Sequence, residues 1–163
     1  WDIHANRRLS VLSEILNDRM RQHIRETMGA AYSYYAYHDP SRAYPEFGML
    51  RAVVMIDPED ADNVAGAVKT IANELAENGV SSDEVMRAVN PILTSVAETV
   101  KTNDYWLNTV LKTSGRHPEL FDWSRTILSD YAAITPEEVS TMARQYLTTD
   151  AAATVAVVPD NRE

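Results

Sequence analysis

The change from a helical to a strand pattern around residues 25–32 restricts most strongly how this chain can fold. Apolar residues recur every three or four positions over residues 5–28, which is typical of one face of an amphipathic helix. The opposite side, which is expected to face solvent, carries Arg7, Glu14, Asn17, Asp18 and Arg21. Gly29 suits the left-handed position that follows many helix C-termini. Residues 30–39 are rich in aromatic side chains and end in an Asp-Pro turn, which predicts a strand. A long helix that leads directly into a sheet favours an α+β fold.

The rest of the chain predicts a second strand and more helices. Residues 47–56 are apolar and β-branched, and an antiparallel pair with the 30–39 strand is the simplest connection across the loop at 40–46. Helices are expected over 57–77, from Ser81 or Ser82 to about 113 with a kink or break near Asn90, over 118–131 and over 136–147. A last strand is expected at 153–158. The sequence therefore predicts one α+β domain, with helices packed on one mostly antiparallel sheet.

Composition excludes several classes of protein. A chain of 163 residues can bury a sizeable core, and no segment approaches the roughly 18 consecutive apolar residues of a membrane-spanning helix. The net charge of −9 and the scattered Lys and Arg residues make nucleic acid an unfavourable partner. Absence of cysteine rules out disulfides, thiolate catalysis and Cys-ligated zinc, but it does not locate the protein.

Arg25 and Tyr32 are the candidate functional residues. One guanidinium and one phenol, brought together by a helix end and a strand start, could donate hydrogen bonds to the same polarised carbonyl oxygen. A structural role is the alternative, since a cation complements the end of a helix dipole and a strand tyrosine packs its ring. Spacing alone does not decide between the two.

The motif Arg-Glu-x-x-Gly-x-x-Tyr at 25–32, after a long helix, resembles the second-half domain of the pitrilysin and insulinase (M16) family of zinc peptidases. Segments 103–107 (NDYWL), 134–139 (ITPEEV) and 153–159 (ATVAVVP) agree in the same order, so the resemblance covers nearly the whole chain. It implies a metallohydrolase domain of the LuxS and mitochondrial-processing-peptidase type that lacks the zinc motif. It also implies catalytic roles for Arg25 and Tyr32, which with Tyr34 would bind peptide.

The histidines do not form a zinc site in the sequence. None of His4, His23, His38 and His117 stands in the His-x-x-Glu-His arrangement of this family, so we expect no cofactor in this chain and zinc on a partner domain. His23 is expected to be a partly exposed helical histidine, with a catalytic role as the alternative. His38 is expected to be a surface histidine beside a turn, with a position facing a cleft as the alternative. The acidic cluster at 57–62 is expected to serve a helix N-terminus rather than a cation.

Two further groups of aromatic residues have a structural and a functional interpretation. The tyrosines of segment 32–44 could form a platform for an extended peptide, but strand alternation sends Tyr35 and Tyr37 to the face opposite Tyr32 and Tyr34. Only one face can line a cleft. Asn103, Tyr105 and Trp106 are expected to pack in the core.

The leading hypothesis is that residues 1–163 form a single domain, a fragment of a larger peptidase, which binds substrate and is inactive alone. Its expected partners are a zinc-bearing domain of the same chain or of another subunit, and a peptide substrate. The alternative is a non-catalytic scaffold of the kind found among respiratory core proteins and processing-peptidase partners, because fold does not imply function. A helical binding module unrelated to proteolysis is a third hypothesis. The compartment is unknown from the sequence, and a periplasmic or other extracytoplasmic home is compatible with bacterial relatives.

Overall fold

In a computed structural model, the structure is described for residues 2–28, 31–41, 44, 47–148 and 152–158, with the backbone alone at 25–28, 31 and 32. The helices are α1 (Ile3–Met20), α2 (Ala61–Asn78), α3 (Ser82–Thr99), the single turn α4 (Lys112–Ser114), α5 (Leu120–Ala132) and α6 (Pro136–Tyr146). Two π-helical segments cover Arg21–Met28 and Tyr105–Leu111, and a 3₁₀ turn covers Pro58–Asp60. The strands are β1 (Ala31–Pro40) and β2 (Gly48–Ile56).

The first helix is the centre of the domain. Asp2 caps it by accepting hydrogen bonds from the backbone N–H groups of His4 and Ala5, and α1 contacts α2, α3, α5, α6 and β1. Its apolar face is fully buried, as the period of three and four predicts. Helical structure reaches Met28 as predicted, but the last eight residues are π-helical. The predicted cap at Gly29 lies outside the described residues.

The two strands pair as an antiparallel hairpin, which confirms the predicted pair and the α+β class. Ala36 stands opposite Ala52, and the pairing is irregular between Ala31 and Ser33. One face of the sheet packs on the helices, with Ala36 buried and Leu50, Ala52 and Val54 against the core. The other face is open, because Tyr35, Met49 and Met55 are exposed.

Of the kink or break predicted near Asn90, the break is wrong and the kink stays a prediction. Helix α3 begins at a capping box in which Ser81 accepts from the Glu84 N–H and Glu84 accepts from the Ser81 N–H, and it then continues through Pro91 to Thr99. Proline removes one helical hydrogen bond, but Pro91 lies on the exposed side, where water can satisfy the freed carbonyl, while Val85 and Val89 are held in the core. The chain leaves the helix only after Thr99.

The strand predicted at 153–158 is also wrong. Residues 152–158 belong to neither a helix nor a strand, and Val155 and Val157 are 83% and 92% exposed. Among the described residues, the sheet consists of the two strands β1 and β2. β-branched residues favour a strand chiefly through packing against neighbouring strands, and this segment has no such neighbour among the described residues.

Two clusters of buried side chains hold the domain together. The larger one joins α1, α2, α3, α5, α6 and the inner face of the sheet, and the smaller one surrounds Tyr105, Val110 and Leu120. Tyr105 is therefore a core residue as predicted. For Asn103 and Trp106 the prediction is wrong, because both are exposed, Trp106 at 38%. The Trp106 indole N–H donates to the Val100 carbonyl at 2.8 Å.

Candidate functional site

The backbone places the two predicted donors on the expected elements. Arg25 lies in the first π-helical segment and Tyr32 lies at the irregular start of β1. These two elements contact each other. Both are departures from regular geometry, and π-helical turns and strand irregularities are frequent at functional sites. The side chains of Arg25 and Tyr32 are not among those described, so their convergence on one oxygen stays a prediction.

The tyrosines divide between the two faces of the sheet, as alternation predicts. Tyr34 lies on the helix-facing side and packs against the core. Tyr35 and Tyr37 stack on the outer face, with ring centroids 5.8 Å apart, and the Arg51 guanidinium donates to the Tyr37 hydroxyl at 3.1 Å. A platform that uses all of these rings together is therefore not formed.

Tyr34 also lines an open groove of about 720 Å³ between α1 and α3. The wall is mainly apolar and includes Ile15, Ile92 and Val96. The charged groups at its rim are Glu14, Asp18, Arg21, Glu84 and Arg87. Asp18 is paired with Arg21 at 2.7 Å and with Arg87 at 3.5 Å. Its lining includes Arg21, the first residue of the π-helical segment that carries Arg25, and Tyr34, two residues after Tyr32.

Two asparagines of α1 bind β1. Asn17 forms two hydrogen bonds with Ala36: its Nδ2 donates to the Ala36 carbonyl at 3.1 Å, and its Oδ1 accepts from the Ala36 N–H at 2.5 Å. Asn6 Oδ1 lies 3.1 Å from His38 Nε2, which donates to it. Burial lowers the pKa of His38, against the smaller opposing effect of Asp39. His38 is thus a neutral, half-buried bridge to α1 rather than a plain surface residue.

The other histidines form ion pairs or lie exposed. His4 pairs with Asp130 at 3.0 Å, His117 pairs with Glu119 at 3.1 Å, and His23 is exposed. Within the described residues, no three His, Asp or Glu side chains are grouped so that they could hold a metal ion. The acids at 59–62 lie in the 3₁₀ turn and the first turn of α2, where the helix dipole favours them.

A buried ion network joins the start of α1 to α5 and α6. Arg7, only 3% exposed, donates to Asp130 at 2.8 Å and to the Trp123 carbonyl at 2.7 Å. Arg8 donates to Asp130 at 3.0 Å and to Glu138 at 2.9 Å. The helical pattern had placed Arg7 on the solvent side of α1, and this is wrong because α5 covers that side.

The network makes the stability of the domain sensitive to acid. Burial alone would raise the pKa of Asp130, but hydrogen bonds from Arg7, Arg8 and His4 outweigh it and lower the pKa from 3.8 to about 2. A lowered carboxyl pKa stabilises the fold above the unfolded-state value, and this contribution is lost as pH falls towards the folded-state value. We expect the difference in unfolding free energy between wild type and Asp130→Asn to shrink between about pH 4 and pH 2.

Urea unfolding of both variants at several pH values checks this expectation. Asp122→Asn on the same helix is the control, because the pair that Asp122 forms with Arg125 is exposed on both sides. The difference between wild type and Asp122→Asn should be small at every pH. A difference in unfolding free energy between wild type and Asp130→Asn that stays constant down to pH 2 would contradict the lowered pKa of Asp130.

The chain matches the family model described as peptidase M16 inactive domain over residues 1–92. It is 25% identical over 135 residues to an uncharacterized zinc protease of Streptomyces coelicolor, covering 81% of this chain and 28% of that protein. It is 25% identical over 144 residues to the uncharacterized zinc protease YmxG of Bacillus subtilis, covering 86% of this chain and 34% of that protein. The chain thus spans about a third of these relatives.

Solved structures show the same fold. The periplasmic protease PqqL from Escherichia coli superimposes with a TM-score of 0.73 at 19% identity, over 90% of this chain and 16% of that one. A peptidase M16 inactive domain from Pseudomonas fluorescens superimposes with a TM-score of 0.72 at 17% identity, over 88% of this chain and 34% of that one. No helix among the described residues is long and apolar enough to cross a membrane. The family match includes the helix, the π-helical segment and both strands that build the candidate site, and the chain belongs to the peptidase M16 inactive-domain family.

Proposed function

We propose that this domain is the substrate-binding, non-metal part of an M16 zinc endopeptidase, and that Arg25 and Tyr32 donate hydrogen bonds to the carbonyl of the peptide bond that is cut. The family match supports this, because residues 1–92 contain both donors and the elements that carry them. The single observation that carries the proposal is the contact between the first π-helical segment and β1, the two elements on which Arg25 and Tyr32 lie.

The proposed chemistry is electrostatic. When water attacks a peptide carbonyl, its oxygen acquires negative charge, and donors that are already in place stabilise that charge without reorganisation. Arg25 supplies a permanent positive charge and Tyr32 supplies a directional O–H. Tyr34, on the wall of the groove between α1 and α3, supplies an aromatic surface for the neighbouring part of the peptide.

The metal belongs elsewhere in this proposal. The described residues do not fit a zinc ion, since they offer no group of metal ligands, while two relatives are named as zinc proteases. Those relatives are about three times as long as this chain. We therefore place the zinc on another domain of the same protein or on a partner subunit, and we expect the isolated domain to cleave nothing.

The test uses the longer peptidase that contains this domain. Arg25→Met and Tyr32→Phe should each lower kcat/KM for peptide cleavage by about a hundredfold or more, as the loss of one oxyanion donor does. Zinc content should stay the same, because neither residue is a metal ligand in this proposal.

Matched control variants lie on the outer face of the same sheet. Tyr35→Phe removes a hydroxyl from an exposed position and Arg51→Met removes a guanidinium from a partly exposed one, and their kcat/KM should stay within about twofold of wild type. Unchanged kcat/KM in both Arg25→Met and Tyr32→Phe would refute the proposal. The non-catalytic scaffold would then be the better interpretation.

A further inference from the structure

We propose that Asn17 is a positioning residue: its side-chain amide holds β1 against α1 and thereby sets Tyr32 at the right distance from Arg25. This inference rests on the proposed function, because it assigns Asn17 a part in placing the same two donors. Asn17 also lines the groove between α1 and α3, but its amide oxygen and nitrogen are both taken up by hydrogen bonds to Ala36. Its effect on the reaction passes through the backbone of β1.

The geometry of the Asn17 amide is that of a neighbouring strand. One N–H and one C=O of the same residue, Ala36, are both satisfied by one side chain, at 2.5 and 3.1 Å. Both groups of a strand residue point to the same edge, so the amide occupies the edge of β1 that faces away from β2. Side-chain rotation is fixed as well, because donor and acceptor must both be aligned.

The residues of this link lie on either side of the two candidate donors along the chain. Asn17 is one helical turn before the π-helical segment that begins at Arg21, and Ala36 follows Tyr32 by four residues in the same strand. The link therefore joins α1, which continues into the segment that carries Arg25, to the strand that carries Tyr32. A change of about 1 Å in such a placement can cost a large factor in rate.

Regular backbone pairing between β1 and β2 does not extend through the start of β1. The ladder between β1 and β2 is irregular between Ala31 and Ser33, which is the place where Tyr32 lies. A strand irregularity of this kind re-aims a side chain and leaves the local ladder incomplete. The end of α1 is π-helical and equally irregular. Of the hydrogen bonds between α1 and β1 in the described part of the chain, those of the Asn17 amide lie nearer to these two segments than the one between Asn6 and His38.

Asparagine is the side chain that this position requires. It offers one donor and one acceptor at the ends of a short, planar group. Aspartate keeps the acceptor for the Ala36 N–H but presents a second acceptor to the Ala36 carbonyl. Alanine removes both hydrogen-bonding groups of the side chain, so the N–H and C=O of Ala36 would need water as a partner in a half-buried strand.

The experiment measures peptide cleavage by the longer, zinc-loaded peptidase. Asn17→Ala should lower kcat about tenfold or more and should change KM less than kcat, because the placement of a donor changes while Asn17 is one of many residues that line the groove. Asn17→Asp, which keeps size and one hydrogen bond, should lower kcat in the same direction. Asn6→Ala is the matched control: it removes the other asparagine tie between α1 and β1, far from the π-helical segment, and should leave kcat within about twofold.

A double-mutant cycle separates positioning from a general loss of stability. In a Tyr32→Phe background, Asn17→Ala should cause little further loss of kcat, because the group that it positions is already gone. An equal loss in both backgrounds, or an unchanged kcat in Asn17→Ala and Asn17→Asp, would overturn the inference while the proposed function stands. If Tyr32→Phe itself keeps full kcat, the proposed function fails and the inference fails with it.

Discussion

Asp130→Ala is expected to lower the free energy of unfolding by about 3 to 5 kcal/mol, because it leaves a buried guanidinium without its counter-ion. Asp130 is the common acceptor for Arg7, Arg8 and His4, at 2.8 to 3.0 Å. The side chains of Arg7 and Asp130 are only 4% and 9% exposed. Arg7 would keep the Trp123 carbonyl as its acceptor, but this neutral group cannot balance the charge.

Chemical denaturation of the domain tests this expectation. Asp122→Ala is the matched control, since it removes a carboxylate from the same helix whose pair with Arg125 is 80% and 72% exposed. Its cost should stay within about 1 kcal/mol. Equal costs for Asp130→Ala and Asp122→Ala would show that the network contributes no more than a surface pair.

A third variant distinguishes an unpaired charge from lost packing. In Arg7→Met combined with Asp130→Leu, no charge remains buried between α1 and α5, so the loss should be smaller than for Asp130→Ala alone. Arg8 keeps Glu138 as a partner in this variant. A double variant less stable than Asp130→Ala would instead assign the stability to the ion pair itself.

The elements of this fold were predictable where local chemistry decides them. The pairs Ser81–Glu84 and Thr135–Glu138 have the residue types and the spacing of a capping box, and both capping boxes form. The helical period of the first 28 residues also predicted the buried face of α1. These signals act within one or two turns, so a single sequence contains them in full.

The predictions that proved wrong depend on contacts between residues that are distant in the sequence. Arg7 looked solvent-exposed because its partner Asp130 is 123 positions away. Segment 152–158 has strand-forming residues, but a strand also needs a neighbour. Pro91 is tolerated because its own side of α3 is exposed, while the opposite side is held in the core.

The candidate site was also predictable only in part. The motif at 25–32 predicted the helix end and the strand start on which the candidate donors Arg25 and Tyr32 lie, and the backbone confirms both locations. Asn17 was grouped with the solvent-facing residues of α1, because periodicity alone gives a polar residue no reason to bind a strand. Only the tertiary structure reveals that its amide satisfies both backbone groups of Ala36.

Gly79→Ala is expected to destabilise the domain by about 2 to 5 kcal/mol, the sum of backbone strain and overlap. Gly79 ends α2 with φ 71° and ψ −159°, a conformation that is nearly restricted to glycine. A Cβ at this position would lie 2.5 Å from Ser140 Oγ and 3.0 Å from Ser140 Cβ. The same hydroxyl accepts a hydrogen bond from the Val80 N–H at 3.0 Å, so it cannot move away without losing that bond.

Two comparisons separate the causes of the Gly79 effect by urea unfolding. Gly66→Ala is the control in the same helix, because a Cβ there meets nothing within 4 Å and alanine favours a helix, so stability should rise slightly or stay the same. Gly79→Ala combined with Ser140→Gly removes the overlap but not the strain, and the two changes should therefore cost less together than the sum of their separate costs. Additive costs would mean that strain alone makes glycine necessary at the turn between α2 and α3. A Gly79→Ala domain as stable as wild type would contradict both causes. The backbone at residue 79 would then have to adopt a conformation that alanine tolerates, while Arg19 still donates a hydrogen bond to the carbonyl of residue 79.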